Sequence, residues 1–525
     1  MKRVVLGLLS IAIVTSCATV SREQSLVDRA AEAVGGEKWT GVQTVTVKGS
    51  TKQWEPEQSD VPGGDMRFAN EAGFQTTVDM AKRATRTDFE KRFAYPAPRT
   101  FTYSEIVTPD GGYVLGIDSN GRNAQSMQMN PPAHAMSGLR LAATQRESRR
   151  NAIGSLVLAM RANPERVRPA LDILADGRSL PAVAYEGYTV AFDPQTGLPE
   201  RVRTLDYDYL LGDVTYDLVY SDWRDVGGGA KLPFKRKYEL NGRTVAETEY
   251  SEAGVNRPID STRFEVPVAL RAGAAKPATG NVPYQWVLRR QFIGTYMDSD
   301  DVSYDVKGSQ GLRLQEVAPG VYHVVGGTHN SLLVEMSDHL VVLDAPVSDA
   351  QSSWVVNAAR SRFPGKPIRW VVLTHHHMDH TGGVRGFLTD GATLVVGQGA
   401  AAHFRRVLAA PTTRNPDLTV RDFSQVPIME VTESHVITDS RGRQVMVYLI
   451  DNPHAKGMLM GWVPDAKLGF VTDIWTPGPP LPAKPNPGLA AVVNAVNKAG
   501  LQPERFAGGH GSTADYAPLA KLAGQ

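Results

Sequence analysis

The spacing of apolar and polar residues changes character along the chain, and each change predicts a different kind of element. Leu26 to Val34 carries a helical pattern closed by Gly35-Gly36. From about Val42 to Val266 the dominant period is two. Gly187 to Phe192 alternates, breaks at Asp193-Pro194-Gln195-Thr196-Gly197 and resumes at Glu200 to Arg203, a strand-turn-strand signal. Tyr216, Leu218 and Tyr220 alternate in the same way, as does Phe234 to Tyr238. Between Met136 and Ala170 the period turns helical, with Leu156, Leu158, Met160 and Val167 among Arg and Glu. Beyond a polar, glycine-bearing stretch from Asp298 to Gly311, short apolar runs (Val321 to Val325, Ser331 to Glu335, Leu340 to Leu343, Trp370 to Leu373, Thr393 to Val396) alternate with helical stretches such as Ser352 to Arg362 and Ala400 to Leu408. The expectation is a mainly β unit (α+β) over 22–300 and a layered α/β unit over 312–525.

Composition narrows this picture. A chain of 525 residues is too long for one ordinary core, and 42% hydrophobic with 21% charged residues describes globular units. The formal net charge of +1 supplies no field that attracts nucleic acid, and no basic stripe with interleaved aromatics is present, so a nucleic-acid partner is excluded. Met1-Lys2-Arg3 followed by the apolar run Val4 to Val14 suits an export signal and is too short to span a bilayer. The run ends in Val14-Thr15-Ser16-Cys17, which resembles the bacterial lipobox. That resemblance implies a signal over 1–17, lipidation of Cys17 and membrane attachment by a lipid anchor. Ala18 in the following position implies the outer membrane, facing the periplasm. A plain secretory signal with an incidental cysteine is the alternative. Cys17 is the only cysteine, so intrachain disulfides and thiolate metal ligation elsewhere are ruled out.

The aromatic hairpins and the Asp-Pro-Gln-Thr-Gly-Leu-Pro turn of the β-rich unit resemble periplasmic lipoprotein-carrier proteins, whose curved sheet wraps a helix. A half-barrel-like domain holding an acyl chain or lipoprotein is what this implies; a β-rich spacer or docking domain is the alternative. His134 is the one histidine among the first 300 residues, so no His-rich metal site can be built there.

The chemistry concentrates after the run Trp370-Val371-Val372-Leu373, which leads into Thr374-His375-His376-His377-Met378-Asp379-His380-Thr381-Gly382-Gly383. A strand end followed by a glycine-bearing loop is where an α/β sheet places functional groups. Four donors within six residues do not suit core packing. His375 and His377 alternate, so an extended segment projects them to one side, where they can share a cation. Asp379 and His380 lie further along and can reach a second. Imidazole with carboxylate suits Zn²⁺ or another first-row divalent ion.

The His-x-His-x-Asp-His pattern at 375–380 resembles the signature of the metallo-β-lactamase superfamily, and the Thr-His-His-His form followed by Gly-Gly is similar to its glyoxalase II and lactonase branches. Asp344 after Leu340-Val341-Val342-Leu343, His454 in Asn452-Pro453-His454-Ala455-Lys456-Gly457, Asp473 in Gly469-Phe470-Val471-Thr472-Asp473 and His510 in Ala507-Gly508-Gly509-His510-Gly511 match the remaining motifs in order. The resemblance covers 312–525 and implies a four-layer αββα fold. It implies one metal on His375, His377 and His454 and a second on Asp379, His380 and His510. Asp473 bridges them, and Asp344 orients a ligand histidine. Two Zn²⁺ are implied, with Fe or Mn as alternatives.

The implied reaction is attack by a bridging hydroxide on an ester, lactone or thioester carbonyl of a small-molecule substrate, with Asp379 orienting the nucleophile. The bridging Asp473 argues against β-lactam turnover, and His377 against a flavodiiron-type reductase. An iron-dependent sulfur dioxygenase and a periplasmic lipid- or lipoprotein-binding protein remain as alternatives. His376 reads as a wall residue and His329 as a substrate contact. Trp475, opening the proline-rich Trp475 to Pro482, reads as a pocket wall or part of a rigid surface connection. His323, His339, His403 and His435 read as surface or structural.

Overall fold

The computed structural model describes residues 21–119, 131–295, 298, 311–388, 391–415 and 421–524. The apolar run Val4 to Val14, Cys17, Ala18 and most of the 298–311 stretch lie outside them.

The β-rich N-terminal domain is built on one 13-stranded sheet. Its strands form two runs of hairpin-linked neighbours, joined where the first strand, Thr44–Glu55, pairs antiparallel with the last, Arg243–Val255. The expected hairpin is the pairing of Tyr188–Phe192 with Pro199–Asp208, with Asp193 accepting from the backbone of Gln195 and Thr196 in the turn. Helix Arg22–Ala33 starts at Ser21, whose hydroxyl accepts from Gln24 N. It buries Val27, Ala30 and Ala31 against Ile153, Val157 and sheet residues Tyr185, Val190 and Leu218.

The helical stretch expected from Met136 to Ala170 is two helices, Gly138–Asn151 and Ile153–Ala162, separated at Ala152. The second ends because Asn163 precedes Pro164, whose ring disfavours helical backbone before it. Arg168 and Pro169 then pair with Ala184 and Val183 as a short strand. Tyr284–Ile293 is a further helix on this sheet, and it carries Arg289.

The C-terminal domain stacks a 7-stranded sheet, Arg313–Ala318 through Ile428–Val431, on a 6-stranded sheet, Ser434–Thr438 through Thr513–Asp515. Val321, Leu332, Val341 and Val372 of one sheet interdigitate with Val445, Leu459, Val463 and Phe470 of the other. Helices Asp349–Arg362 and Ala401–Ala409 cover the outer face of the first sheet, and Pro487–Lys498 and Ala517–Ala523 that of the second. Strands enclosed on both faces need apolar side chains throughout, so Val321–Val325 and Leu340–Leu343 are continuous buried runs rather than alternating ones. The result is the αββα layering expected. Parallel pairing of Leu343 with Val372, and of Val471 with Gly508, brings the strand ends before Asp344, Thr374, Thr472 and Gly509 to one edge.

The two domains are locked by polar contacts. Arg385, fully buried, donates to the carbonyls of Tyr209 and Leu210 across the seam and to Val407 O within its own domain. Tyr207 donates to Asp349 Oδ2 at 2.8 Å. The segment after Glu55 crosses to the C-terminal domain, where Met378 N donates to Glu57 O and Lys456 N to Asp60 O.

Candidate metal centre

Four strand ends and the loop carrying His454 bring the motif residues together. Asp344, at φ +65°, and Asp473, at φ +58°, each sit in the left-handed region just past a strand, a conformation uncommon for non-glycine residues but more accessible to Asp than to most. Gly509 precedes His510 where a Cβ would lie 2.3 Å from Thr472 Cγ2 and 3.2 Å from His380 Cε1. Only glycine lets the last loop come this close.

Two groups of possible ligand atoms result, each within 4.8 Å of one another: His375, His377, His454 and Asp473; and His329, Asp379, His380 and His510. The Asp473 carboxylate reaches both. Its Oδ2 lies 3.1 Å from His375 Nε2, 3.1 Å from His380 Nε2 and 3.3 Å from His454 Nε2, and its Oδ1 lies 2.8 Å from His510 Nε2.

Hydrogen bonds fix which ring nitrogen of each imidazole is free. His380 Nδ1 donates to Asp344 Oδ2 at 3.0 Å, leaving Nε2 toward the donors. Asp344 also accepts from Thr374 N and Oγ1, so the orienting role expected of it takes this form. His377 Nε2 donates to Ser59 O at 2.9 Å, which leaves Nδ1 facing His454 Nε2 at 3.0 Å. His375 Nδ1 lies beside the hydroxyls of Thr374 and Thr472, and its Nε2 is free.

The chemistry of the donor set fits divalent cations. Among the described residues, His375 Nε2, His380 Nε2 and Asp473 Oδ2 are buried without a hydrogen-bond partner, a costly arrangement unless a cation completes it. Burial holds His375 down to about 3 and His377 well below the usual imidazole range, so both are neutral and able to donate a lone pair. Burial opposes the charged form of His380 too, but Asp473 and Asp379 outweigh it and hold that imidazole well above its ordinary value. Burial alone would raise the carboxyls of Asp379 and Asp473; the surrounding imidazoles hold both well below the carboxylate range. Negative charge here awaits positive charge.

The remaining expected residues divide. His329 belongs to the second donor group: its Nε2 lies 3.2 Å from Asp379 Oδ2 and its ring 4.4 Å from that of His510. Asn330 and Gln351 pin its loop, donating to Gly508 O, Gly511 O and His329 O. His376 stands outside both groups, with Nε2 bonded to Ser59 O. His323 donates to Gly508 O and is structural. Trp475, expected as a pocket wall or part of a surface connection, is in the core instead. It is 4% exposed, packs with Ile474, Leu489 and Val492, and stands with its ring 5.3 Å from that of Phe506. The proline-rich loop begins by burying its aromatic residue rather than presenting it.

Three residues of the N-terminal domain enter the site with no warning from their sequence. Gln58 Nε2 donates to Asp379 Oδ1 at 2.7 Å, and the Tyr95 hydroxyl donates to Gln58 Oε1. The carbonyl of Ser59 accepts from both His376 and His377. Their loop is held by Arg289, which contacts Glu55 at 2.8 Å, Glu57 at 3.1 Å and Asp208 at 2.5 Å. Burial drives the Glu57 carboxyl well above its usual range, so Arg289 need not balance three negative charges.

Residues 324–515 match the family model of the metallo-beta-lactamase superfamily. The C-terminal domain is a metallo-β-lactamase domain. Within the chain, 78 residues are 34% identical to a linear primary-alkylsulfatase from Pseudomonas sp., covering 15% of this chain and 12% of that one. A stretch of 93 residues is 28% identical to the alpha subunit of 2,4-dinitroanisole O-demethylase from Nocardioides sp., covering 17% and 28%. The chain thus spans less than a third of either relative. Among solved structures, a metallo-β-lactamase from Pseudomonas aeruginosa in mono-zinc form is 19% identical, covering 41% of this chain and 95% of that one, with a TM-score of 0.30. An inverting sec-alkylsulfatase from Pseudomonas sp. is 18% identical, covering 46% and 42%, with a TM-score of 0.32. The metallo-β-lactamase domain carries every donor of both groups, whereas Gln58, Ser59 and Tyr95 come from outside it.

Proposed function

We propose that this chain is a dinuclear metal-dependent hydrolase of esters, lactones or thioesters, with zinc as its metal. The observation that supports it most is the placing of Asp473 between two imidazole groups, with His375 Nε2, His380 Nε2 and Asp473 Oδ2 left without hydrogen-bond partners among the described residues. His375, His377 and His454 would hold one cation, Asp379, His380 and His510 the other, and Asp473 both. Cations bound there supply Lewis acidity and acidify a water molecule.

The chain's own residues do the rest. Asp379, His454 and His510 keep 28%, 20% and 25% of their side-chain surface exposed, which gives substrate one side of approach. Asp379, partly exposed there, would orient an approaching water, while Gln58 holds Oδ1 and so fixes the plane of the carboxylate. His329, bonded through Nδ1 to Thr328 Oγ1, borders the same space and is placed to contact a substrate oxygen. Tyr95 stands behind Gln58 and, with it, closes the wall formed by the N-terminal domain.

The test is metal content by mass spectrometry alongside turnover of an ester, lactone and thioester panel by the full chain. His377→Ala and Asp379→Ala should each lose metal and activity together; turnover retained in a metal-free variant refutes the assignment. Similarity to an alkylsulfatase adds a primary alkyl sulfate ester to the panel. Iron content with oxygen uptake would replace hydrolysis by sulfur oxidation.

A further inference from the structure

The N-terminal sheet and the helices packed on it form a half-open cavity of about 540 Å³, lined by none of the metal-site residues. Its size falls within the range of roughly 300–1,000 Å³ typical of small-molecule sites. Alternate residues of several strands line it, such as Phe74, Thr76 and Val78 of one strand and Ala246, Thr248 and Tyr250 of another, two places along the sheet. Helices Gly138–Asn151 and Tyr284–Ile293 close it with Ala143, Leu288 and Phe292. Four wall hydroxyls satisfy each other, as Thr248 donates to Thr51 and Thr76 pairs with Thr87 at 3.0 Å, while Thr144 Oγ1 is buried without a partner among the described residues. The aromatic and aliphatic side chains between them suit an apolar chain.

One wall residue is charged. Arg236 lines the cavity, is 3% exposed, and has no partner for Nε or Nη1 among the described residues. Its guanidinium lies 4.1 Å above the Tyr250 ring, and its single hydrogen bond, from Nη2 to Asn151 O, is 3.5 Å long. The acids in the same wall are engaged elsewhere: Glu105 with Arg140 at 2.7 Å and Glu147 with Arg150 at 3.1 Å, while Asp79 accepts from Lys82 N. A buried, permanently charged group without a counter-ion is expensive, and an incoming anion removes the expense. Guanidinium matches carboxylate in a planar, two-pronged hydrogen bond.

We propose that this cavity binds a single-chain amphiphile bearing a carboxylate, its alkyl chain among Phe74, Leu288 and Phe292 and its head on Arg236. The site is separate from the metal centre and does not depend on the hydrolase reading.

Titration of the full chain with dodecanoate below its micelle concentration, followed calorimetrically and by the fluorescence of Trp39 in the cavity wall, tests this. Saturable binding is expected, with dodecanol and dodecyltrimethylammonium at least about tenfold weaker. Arg236→Gln, checked for native circular dichroism, should lose a similar factor for dodecanoate and nothing for dodecanol. Thr248→Trp, which fills the cavity beside Arg236 and leaves its charge in place, should abolish binding of both. Equal affinity for the alcohol, unchanged dodecanoate affinity in Arg236→Gln, or undiminished binding in Thr248→Trp overturns the proposal. So does loss of binding on treatment with a chelator, which would place the anion at the metal centre.

Discussion

At the residue scale, the histidines and aspartates of the site were legible in the sequence, because ligand chemistry leaves few residue types to choose from and His375 to His380 crowd them together. Gln58, Ser59 and Tyr95 were not, since an amide, a backbone carbonyl and a phenol carry no spacing that marks them, and Ser59 acts through an atom every residue possesses. Trp475 shows the opposite error: an aromatic beside a ligand invites a substrate role, but a large ring is stabilised as well by a core that has room for it. Because Gln58 fixes one oxygen of Asp379, Gln58→Leu should weaken metal binding or turnover by roughly 10–100-fold, the usual effect of losing a partner that orients a ligand. Tyr95→Phe, one step further out, should cost less. Competition with a chromophoric chelator measures both; a Gln58→Leu chain with wild-type metal affinity and turnover would show that the contact positions nothing.

At the scale of elements, strands enclosed by two layers were read almost to the residue, as Val321–Val325 and Leu340–Leu343 show, because burial on both faces leaves an unmistakable apolar run. The break at Ala152 was missed, although Gly154 follows it by two residues, because a single glycine inside a helical period does not by itself end a helix. The helix Asp349–Arg362 has a property its sequence does not announce. Its first residue is buried under Tyr207 and Asn415, and burial raises the Asp349 carboxyl to about 6, against the pull of Arg385 and these hydrogen bonds. The folded chain therefore holds this proton more tightly than the unfolded chain does. The contribution to stability is full below about pH 4 and declines as pH rises toward 6, by roughly 2–3 kcal/mol in all. Asp349→Asn cannot ionise, so the variant should gain on wild type as pH rises from 4 to 6 and keep a constant lead above that. Urea midpoints of the two proteins across that window give the answer; parallel curves would exclude Asp349 as the titrating group.

At the scale of the molecule, the α/β layering and the β-rich sheet followed from periodicity, whereas their mutual dependence could not, because contacts between residues some 320 positions apart leave no local pattern. The metallo-β-lactamase domain expressed alone, as residues 312–525, would lose the Ser59 carbonyl, the Gln58 amide and the carbonyls of Tyr209 and Leu210 that Arg385 needs. It should bind zinc at least about tenfold more weakly than the full chain and expose apolar surface to a fluorescent dye. Equal zinc affinity in fragment and full chain would show the N-terminal contribution to be dispensable. The Ser59 carbonyl has a final consequence for inheritance. By occupying Nε2 of His377 it decides that Nδ1 is the nitrogen left to give, so the C-terminal half does not by itself fix the orientation of this imidazole. Recombination that paired this half with a foreign N-terminal sheet would leave that imidazole free to turn, and lineages carrying the fusion should exchange the two halves together or not at all.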